Sequence, residues 1–292
     1  SEENAALLVS VKKLLDLDKQ MTELSEIDTR KAYKKVLSRI HTNRRSHIFE
    51  IFSRVAAIIV LPLIGLTGIL GYFQIKDSFA DITYVEVNAA PGTISKYQLP
   101  DKSYVWLNSG SWLRYPTRFS EESRRVEIRG EAYFEVESDK EHPFYVNTSH
   151  MVINVVGTQF NVTAYDEDTD YSVVLVEGCV DVSIDKEKAR LLPNQMLSVS
   201  TDQISVKKID VNNYISWKEG YLQFASEPLS NILKRLSRYY DTPIDCDNSI
   251  AQLKCNGKLV LFDNIEDVMK TIYNTIPIQY SHEAGRILVR KK

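Results

Sequence analysis

The stretch RVAAIIVLPLIGLTGILGYFQIK, residues 54–76, divides the chain into a short and a long part. Between its charged ends lie 21 residues, 55–75, without a charged side chain. In a helix they would span about 31 Å, close to the thickness of about 30 Å of the hydrocarbon core of a bilayer. Apolar residues occur on every side of this helix, whereas a buried helix of a soluble protein normally keeps a polar face. Residues 55–75 are therefore predicted to form one transmembrane helix.

The charges that flank this span predict its direction. Eight basic residues lie within residues 30–54, whereas Lys76 and Lys96 are the basic residues near the other end. The positive-inside rule then places residues 1–54 in the cytoplasm and the larger part outside. Residues 76–292 carry 25 basic and 31 acidic side chains, so this part shows no basic footprint for nucleic acid.

Residues 1–54 are predicted to form a short α-helical cytoplasmic stem, because apolar residues recur in them at helical spacing. About 54 residues with two such stripes would make only a marginal core alone. The stripes then either dock on a partner, as a helix does in a groove, or pack on each other as a hairpin. The candidate partner-binding residues are Leu14, Leu15, Tyr33, Val36, Leu37 and Ile40.

Residues 76–215 are predicted to form an all-β domain. Apolar and polar residues alternate in Val126-Glu127-Ile128 and again in residues 180–185, which is the period of a strand with one buried face. Residues 173–176 are apolar on both faces, which suits a strand covered on both sides. Turn residues separate about ten such segments, so we expect a sandwich, a roll or a short solenoid.

Residues 216–292 show an alternation of strand and helix patterns. A strand at 221–225 precedes a helix that opens at Pro228, and a second helix covers 264–274. The complete predicted order is β-α-β-β-α-β-β, which is a small α+β domain.

The sequence contains few features that would indicate an enzyme. Motifs of the GxSxG, HExxH, P-loop and GxGxxG types are absent, and His142, His150 and His282 are far apart in the sequence. We therefore predict no catalytic residue, no metal site and no cofactor. Asp166 and Asp168 begin an acidic series that imitates an EF-hand loop, but Tyr171 stands where that loop requires glycine. A solvated acidic turn is the favoured interpretation.

Two further features leave alternatives open. Cys246 and Cys255 fall on consecutive predicted strands, so they either form a disulfide or remain two buried thiols. Gly157-Thr158 lies within a strand pattern, where glycine normally marks a bulge or a close approach of two backbones. A strained Gly-Thr peptide could also cleave itself through attack of the threonine hydroxyl on the preceding carbonyl. The bulge is the favoured interpretation.

Five blocks of the sequence, in order, closely resemble the FecR family of transmembrane anti-sigma factors. They are LPDKSYVWLNSGSWLRYP (99–116), RRVEIRGEAYFEV (124–136), HPFYV (142–146), VVGTQFNVTAY (155–165) and VLVEGCVDV (174–182). Residues 216–292 resemble the STN-like domain that follows in members from Bacteroidetes, and residues 27–40 are similar to their cytoplasmic lead. Where the family usually has glycine in two turns, this chain has Lys102 and Asn194.

The resemblance implies a single-pass inner-membrane regulator with its N-terminus in the cytoplasm and two periplasmic domains. Its stem would bind an extracytoplasmic-function sigma factor and so control transcription of uptake genes. Its outer part would receive a signal from the signalling domain of an outer-membrane TonB-dependent transporter. Some relatives cleave themselves at the Gly-Thr of this block and are then trimmed by periplasmic and intramembrane proteases. The alternative is a membrane-tethered periplasmic binding or envelope-assembly module whose stem is only an anchor.

Overall fold

The structure is a computed structural model that describes residues 2–25, 28–78, 82–200 and 203–292. The chain forms two compact units, Ser1–Ala80 and Asp81–Lys292. We call the first the helical unit and the second the body.

The helical unit contains α1 (Glu2–Ser25) and α2 (Thr29–Ser78). The side chain of Asp28 accepts a hydrogen bond from the backbone nitrogen of Lys31 at 2.9 Å, which satisfies a free donor at the start of α2. α2 is a continuous helix of 50 residues with Pro62 inside it, so it passes through the expected boundary between stem and membrane helix at residue 54. Its segment Arg54–Tyr72 is long and apolar enough to cross a membrane, which is compatible with single-pass membrane anchoring.

The body begins with antiparallel and parallel strands that form two layers. The strands are β1 (Tyr84–Asn88), β2 (Ser95–Gln98), β3 (Tyr104–Leu107), β4 (Trp112–Pro116), β5 (Arg124–Glu135), β6 (Phe144–Asn147), β7 (Val152–Val155), β8 (Gln159–Ala164), β9 (Asp170–Glu177), β10 (Val180–Ile184), β11 (Glu187–Leu191), β12 (Gln195–Ser200) and β13 (Gln203–Lys208). The first layer has the order β1-β4-β5-β6-β7-β10-β11, and the second has the order β2-β3-β5-β8-β9-β12-β13. Of the predicted all-β architectures, this is a sandwich.

Strand β5 belongs to both layers, and it changes layer at Gly130. Arg129 pairs with β4 of the first layer, whereas Gly130 pairs with Ala164 on β8 of the second. Gly130 has a φ of 103°, and a Cβ atom there would lie 2.8 Å from the Cα of Ser111. Only glycine satisfies both the backbone conformation and the close approach.

One hydrophobic core lies between the two layers, and the alternation in the sequence predicts which side chains enter it. Val126 and Ile128 on β5, and Val180 and Val182 on β10, are almost completely buried there. The apolar segment of β9, residues 173–176, is covered on both sides, as expected, because Val173 enters this core while its neighbour Val174 is buried on the opposite face.

The remainder of the body, residues 212–292, forms the C-terminal layer. Its elements are α3 (Asn212–Ile215), a 3-10 turn (Ser216–Glu219), β14 (Tyr221–Pro228), α4 (Leu229–Tyr240), β15 (Ile244–Cys246), α5 (Asn248–Ala251), β16 (Lys254–Val260), α6 (Ile265–Thr275), β17 (Ile278–Glu283) and β18 (Arg286–Lys291). This order confirms the predicted β-α-β-β-α-β-β pattern and adds the short α3 and α5. β14 pairs with β16, and β18 lies between β15 and β17.

A second core lies under the C-terminal layer and includes residues of the sandwich. Trp217, Leu233 and Met269 are buried in it together with Tyr133 of β5, while Trp106 of β3 packs against it. The C-terminal layer therefore covers the outer face of the second sandwich layer.

The two turn positions at which the chain departs from the family pattern keep the conformation that glycine favours. Lys102 has a φ of 73° and Asn194 a φ of 64°. A side chain at such an angle costs about 1 kcal/mol relative to glycine, and asparagine tolerates it better than lysine. Both turns therefore retain their shape despite the substitutions.

Candidate functional site

The predicted partner-binding residues of the stem lie on exposed faces of α1 and α2. Leu14 and Tyr33 are each 66 % exposed and Val36 is 57 % exposed, while Leu37 is half-buried. Leu15 and Ile40 are exposed as well. In the described residues of the helical unit the two stripes therefore do not bury each other, contrary to the hairpin alternative.

In the body, the acidic turn is solvated only in part, because Asp166, Glu167 and Asp170 are exposed as predicted but Asp168 is not. The side chain of Asp168 is 6 % exposed, because two basic side chains of α4 reach it. Lys234 Nζ lies 2.7 Å and Arg238 Nη2 lies 2.8 Å from Asp168 Oδ1. Through Asp168, the turn between β8 and β9 thus holds α4 by a charge-assisted contact.

Arg238 joins this contact to a second one on the sandwich. Its guanidinium lies 3.7 Å from the centre of the Tyr165 ring, and the Tyr165 hydroxyl donates to the carbonyl oxygen of Ser109 at 3.1 Å. Burial raises the pKa of Tyr165 above its ordinary value, so the phenol remains a donor. Ser109 Oγ in turn donates to the carbonyl oxygens of Arg238 and Tyr239, at 3.1 and 3.0 Å, and so caps the end of α4.

A buried polar network lies beside this cap. Asn108 Nδ2 donates to Glu131 Oε2 at 2.7 Å, and Asn161 Nδ2 donates to Glu131 Oε1 at 2.9 Å. The indole nitrogen of Trp217 donates to Asn161 Oδ1 at 3.1 Å. We call the contacts of Asp168, Arg238 and Ser109, together with this network, the junction, because they connect the sandwich to the C-terminal layer.

Sequence reasoning missed the junction. Arg238 follows Asp168 by 70 positions, and a local pattern cannot pair side chains over such a distance. One signal was available: Trp217 follows the last predicted sandwich strand, and a buried tryptophan needs an acceptor for its N–H group.

The predicted Gly157-Thr158 position lies in the bend between β7 and β8. A Cβ atom on Gly157 would lie 2.7 Å from the Cα of Ser138, and one on Gly178 would lie 2.8 Å from the carbonyl oxygen of Gly157. The register of β8 against β9 shifts just after this point, between Gln159 and Phe160. The geometry therefore contains the close backbone approach and the bulge that the sequence favours.

The hydroxyl of Thr158 is buried, and it has a partner. Thr158 Oγ1 donates to the carbonyl oxygen of Cys179 at 3.1 Å, and the carbonyl oxygen of Thr158 accepts from Val136 N at 3.0 Å. The residue is 3 % exposed. These bonds hold Thr158 between the end of β5 and the turn that joins β9 to β10.

The cysteines do not form the disulfide that was one alternative. Cys246 and Cys255 are both free thiols, and they lie on β15 and β16, which belong to different sheets. Burial raises the pKa of both thiols, so both favour the neutral form. Cys179 is also free, and it is exposed. Among the described residues, no group of three or more His, Cys, Asp or Glu side chains could hold a metal ion.

Comparison with known proteins agrees with this architecture. Residues 85–181 match the family described as FecR protein, and residues 221–289 match the family described as FecR, C-terminal. No curated protein matches the sequence at a significant level. Two crystal structures of a candidate anti-sigma factor from Parabacteroides distasonis ATCC 8503, at 2.50 and 1.65 Å resolution, share 33 % identity and a TM-score of 0.66 with this chain. They cover 72 % and 71 % of this chain, which spans 100 % and 99 % of theirs.

Proposed function

The chain belongs to the FecR family of anti-sigma factors, and from this premise we propose that its stem binds an extracytoplasmic-function sigma factor in the cytoplasm. The observation that carries the proposal is the pair of exposed apolar stripes on α1 and α2. Burial of each such side chain against a partner would contribute about 1.5–3 kcal/mol. Leu14, Leu15, Tyr33, Val36, Leu37 and Ile40 are the proposed contact residues.

The direction of signalling follows from the charges beside the membrane-compatible segment. The basic residues before Arg54 favour a cytoplasmic stem, which leaves the acidic body in the periplasm of an inner-membrane protein. There the body would receive its signal from the signalling domain of an outer-membrane TonB-dependent transporter. The chain acts as a regulator through these contacts and not as an enzyme.

A crosslinking experiment tests the stem. The full-length chain is crosslinked in membranes, purified, and its partners are identified by mass spectrometry. We expect a sigma factor with the wild type, and its loss with Tyr33→Asp or Leu37→Asp, because each change places a charge on the apolar stripe. Ser38→Asp is the matched control, since residue 38 lies on a different face of the same helix and the introduced charge is the same. Recovery of no sigma factor with the wild type would refute the proposal.

A second measurement separates the proposal from the tethered-module alternative. The stem is replaced by a basic helix of equal length without apolar stripes, and transcription of the sigma-dependent genes is measured. A change in transcription supports anti-sigma control. Unchanged transcription would mean that the stem is only an anchor.

Self-cleavage at Gly157-Thr158 remains a proposal for how the signal is passed on. The wild type would then yield two fragments, residues 1–157 and 158–292, in a denaturing gel. Thr158→Ser keeps the hydroxyl and should keep the cleavage, whereas Thr158→Ala should give one intact chain. An intact wild-type chain in membranes exposed to the inducing signal would exclude this step, and periplasmic and intramembrane proteases would then have to begin the processing.

A further inference from the structure

A row of polar side chains crosses the outer face of the first sandwich layer, on the side away from the core. Strand register places Arg125, Tyr145, Asn154, Asp181 and Arg190 next to one another on β5, β6, β7, β10 and β11. None of these residues belongs to the junction. The residues of the junction lie on strands of the second layer, at turns, or in the C-terminal layer. The row therefore has no part in the contacts described so far.

The two ends of the row are held in place by their own contacts. Arg125 lies over the Tyr145 ring, with its Cζ atom 4.2 Å from the ring centre. At the other end, Arg190 donates to both carboxylate oxygens of Asp181, at 2.6 and 2.8 Å. A bidentate pair of this kind fixes the geometry of both groups. The row is thus a preorganised surface rather than a set of independent side chains.

The centre of the row has an unfilled hydrogen-bonding position. Asn154 Oδ1 is buried and has no hydrogen-bond partner among the residues that the structure describes. Leaving a buried polar atom without a partner costs about 1–3 kcal/mol, so such an atom requires an explanation. Asn154 lines the groove beside Tyr145 and Asp181, so a turn of its amide group would present this oxygen to a donor bound there.

This groove is large enough for a small ligand. It has a volume of about 490 Å³, within the range of about 300–1,000 Å³ found for small-molecule sites. Its lining includes four members of the row, all except Arg125, and residues from the neighbouring register positions, such as Val152, Ser183 and Lys188. A ligand here would meet an aromatic ring, an amide, a carboxylate, a hydroxyl and two cations.

We propose that the groove binds a neutral, polyhydroxylated ligand, namely a carbohydrate. A sugar hydroxyl both donates and accepts, so neighbouring hydroxyls can serve Asn154 Oδ1 and the Ser183 hydroxyl at the same time. The carbon face of a sugar ring can pack on an aromatic side chain such as Tyr145. Asp181 offsets the charge of Arg190, and Lys188 supplies a further donor to a sugar hydroxyl in the groove.

The test uses the full-length chain in detergent micelles and ligand-observed saturation-transfer NMR. The probes are maltotetraose and tri-N-acetylchitotriose, two 1,4-linked oligosaccharides of glucose type, of which only the second carries N-acetyl groups. We expect saturation transfer to at least one of them, and a loss of affinity of about tenfold or more in Tyr145→Ala and in Asn154→Leu, equivalent to about 1.4 kcal/mol. Transfer to the N-acetylated sugar alone would identify a cell-wall type of glycan. Transfer to maltotetraose would identify a more general sugar site.

A matched control is available in the same layer. Tyr84 on β1 also carries an arginine over its ring, since Arg114 Cζ lies 4.2 Å from the ring centre. Tyr84→Ala removes the same kind of contact outside the groove, so it should leave sugar binding unchanged. Ser183→Leu fills the groove without removing the row, and it should abolish binding even if Asn154→Leu fails to fold.

Three results would overturn the proposal. They are saturation transfer to neither sugar, equal binding by wild type and Ser183→Leu, and displacement of the sugar by an equal concentration of sulfate. The last result would identify an anion site. None of these outcomes depends on sigma-factor binding, so this inference and the proposed function can fail separately.

Discussion

Asp168 and Arg238 lie 70 positions apart in the sequence, yet a carboxylate oxygen of Asp168 is 2.8 Å from the guanidinium of Arg238. The contact connects the turn before β9 to the last turn of α4, next to the serine that caps that helix. A positive side chain near the C-terminal end of a helix is also stabilised by the helix dipole, and Arg238 lies in the last turn of α4. The position of α4 on the sandwich therefore depends on this pair and not only on the apolar core beneath it.

We predict that Asp168→Ala loosens α4. The change removes the buried carboxylate partner of Arg238 and leaves only the exposed Glu167, 3.1 Å from its guanidinium, which should cost about 1–3 kcal/mol. Hydrogen exchange followed by mass spectrometry should show faster exchange in Leu229–Tyr240 and little change in β5. Asp170→Ala is the control, because Asp170 is exposed and only two positions away. Equal protection of α4 in wild type and Asp168→Ala would show that the apolar core alone positions the helix.

Arg124 should be one of the most sensitive positions of the sandwich. Its side chain is 4 % exposed, it lies 2.7 Å from Asp101, and it donates to the carbonyl oxygens of Glu137 and His142. Arg124→Ala would leave Asp101 without its cation and these carbonyls without their guanidinium donor, at a cost of about 3–5 kcal/mol. Arg124→Lys should recover only part of this loss, because an ammonium cannot reproduce the guanidinium fork.

The measurement is the free energy of unfolding of the body in urea, followed by tryptophan fluorescence of the purified full-length chain. The neighbouring Arg125→Ala is the control, since Arg125 is exposed on the opposite face of the same strand. A cost for Arg124→Ala no larger than that for Arg125→Ala would contradict the prediction.

The sequence predicts the local part of this fold well. The alternation that identifies Val126 and Ile128 as core residues depends only on the two-residue period of a strand, which survives in any layer arrangement. The inward faces of α4 and α6 follow in the same way from helical periodicity. In α4 the spacing of Leu229, Ile232, Leu233 and Leu236 continues to Tyr240, whereas the structure buries Tyr239.

The features that the sequence does not predict are of two kinds. Some depend on contacts between residues far apart in the chain, and one depends on the lack of a residue that would end a helix. The change of layer within β5 rests on the approach of Gly130 to Ser111, and the burial of Asp168 rests on side chains of α4. The unbroken α2 has a simpler cause. No proline or glycine occurs between residues 28 and 61, so no helix-breaking residue ends α2 at residue 54, the predicted boundary between stem and membrane helix.

Glu227 should make stability depend on pH. Burial raises the pKa of its carboxyl above the ordinary 4.5, against the opposing effect of Arg235 at 3.2 Å. A raised pKa means that the folded state prefers the neutral acid, so the contribution of this group to stability is present below pH 4.5 and is lost as the pH rises through the folded-state pKa. Glu227→Gln mimics the neutral acid and avoids this loss.

We therefore expect the stability of Glu227→Gln, relative to wild type, to increase between pH 4 and pH 7 in urea unfolding. The same substitution at exposed Glu121 controls for the removal of a surface charge. A difference between Glu227→Gln and wild type that falls as the pH rises would mean that Arg235 dominates the environment of the carboxyl.

Gly157 should tolerate no side chain, whether or not the chain cleaves itself at this position. In Gly157→Ala the new Cβ atom would lie 2.7 Å from the backbone of Ser138, so one of the two strands has to move, at a cost of about 1–3 kcal/mol. Gly285→Ala is the control, because Gly285 has a φ of 78° and no heavy atom within 4 Å of the added Cβ, so it reports the cost of the backbone angle alone. Thermal unfolding of uncleaved chains compares the two variants, and both carry Thr158→Ala so that self-cleavage does not affect the comparison.

A larger decrease in melting temperature is expected for Gly157→Ala than for Gly285→Ala, since contact with a fixed backbone cannot be relieved by rotation of a side chain. If Gly157→Ala melts like its parent, the glycine is not required for packing, and the case for a role in cleavage becomes stronger.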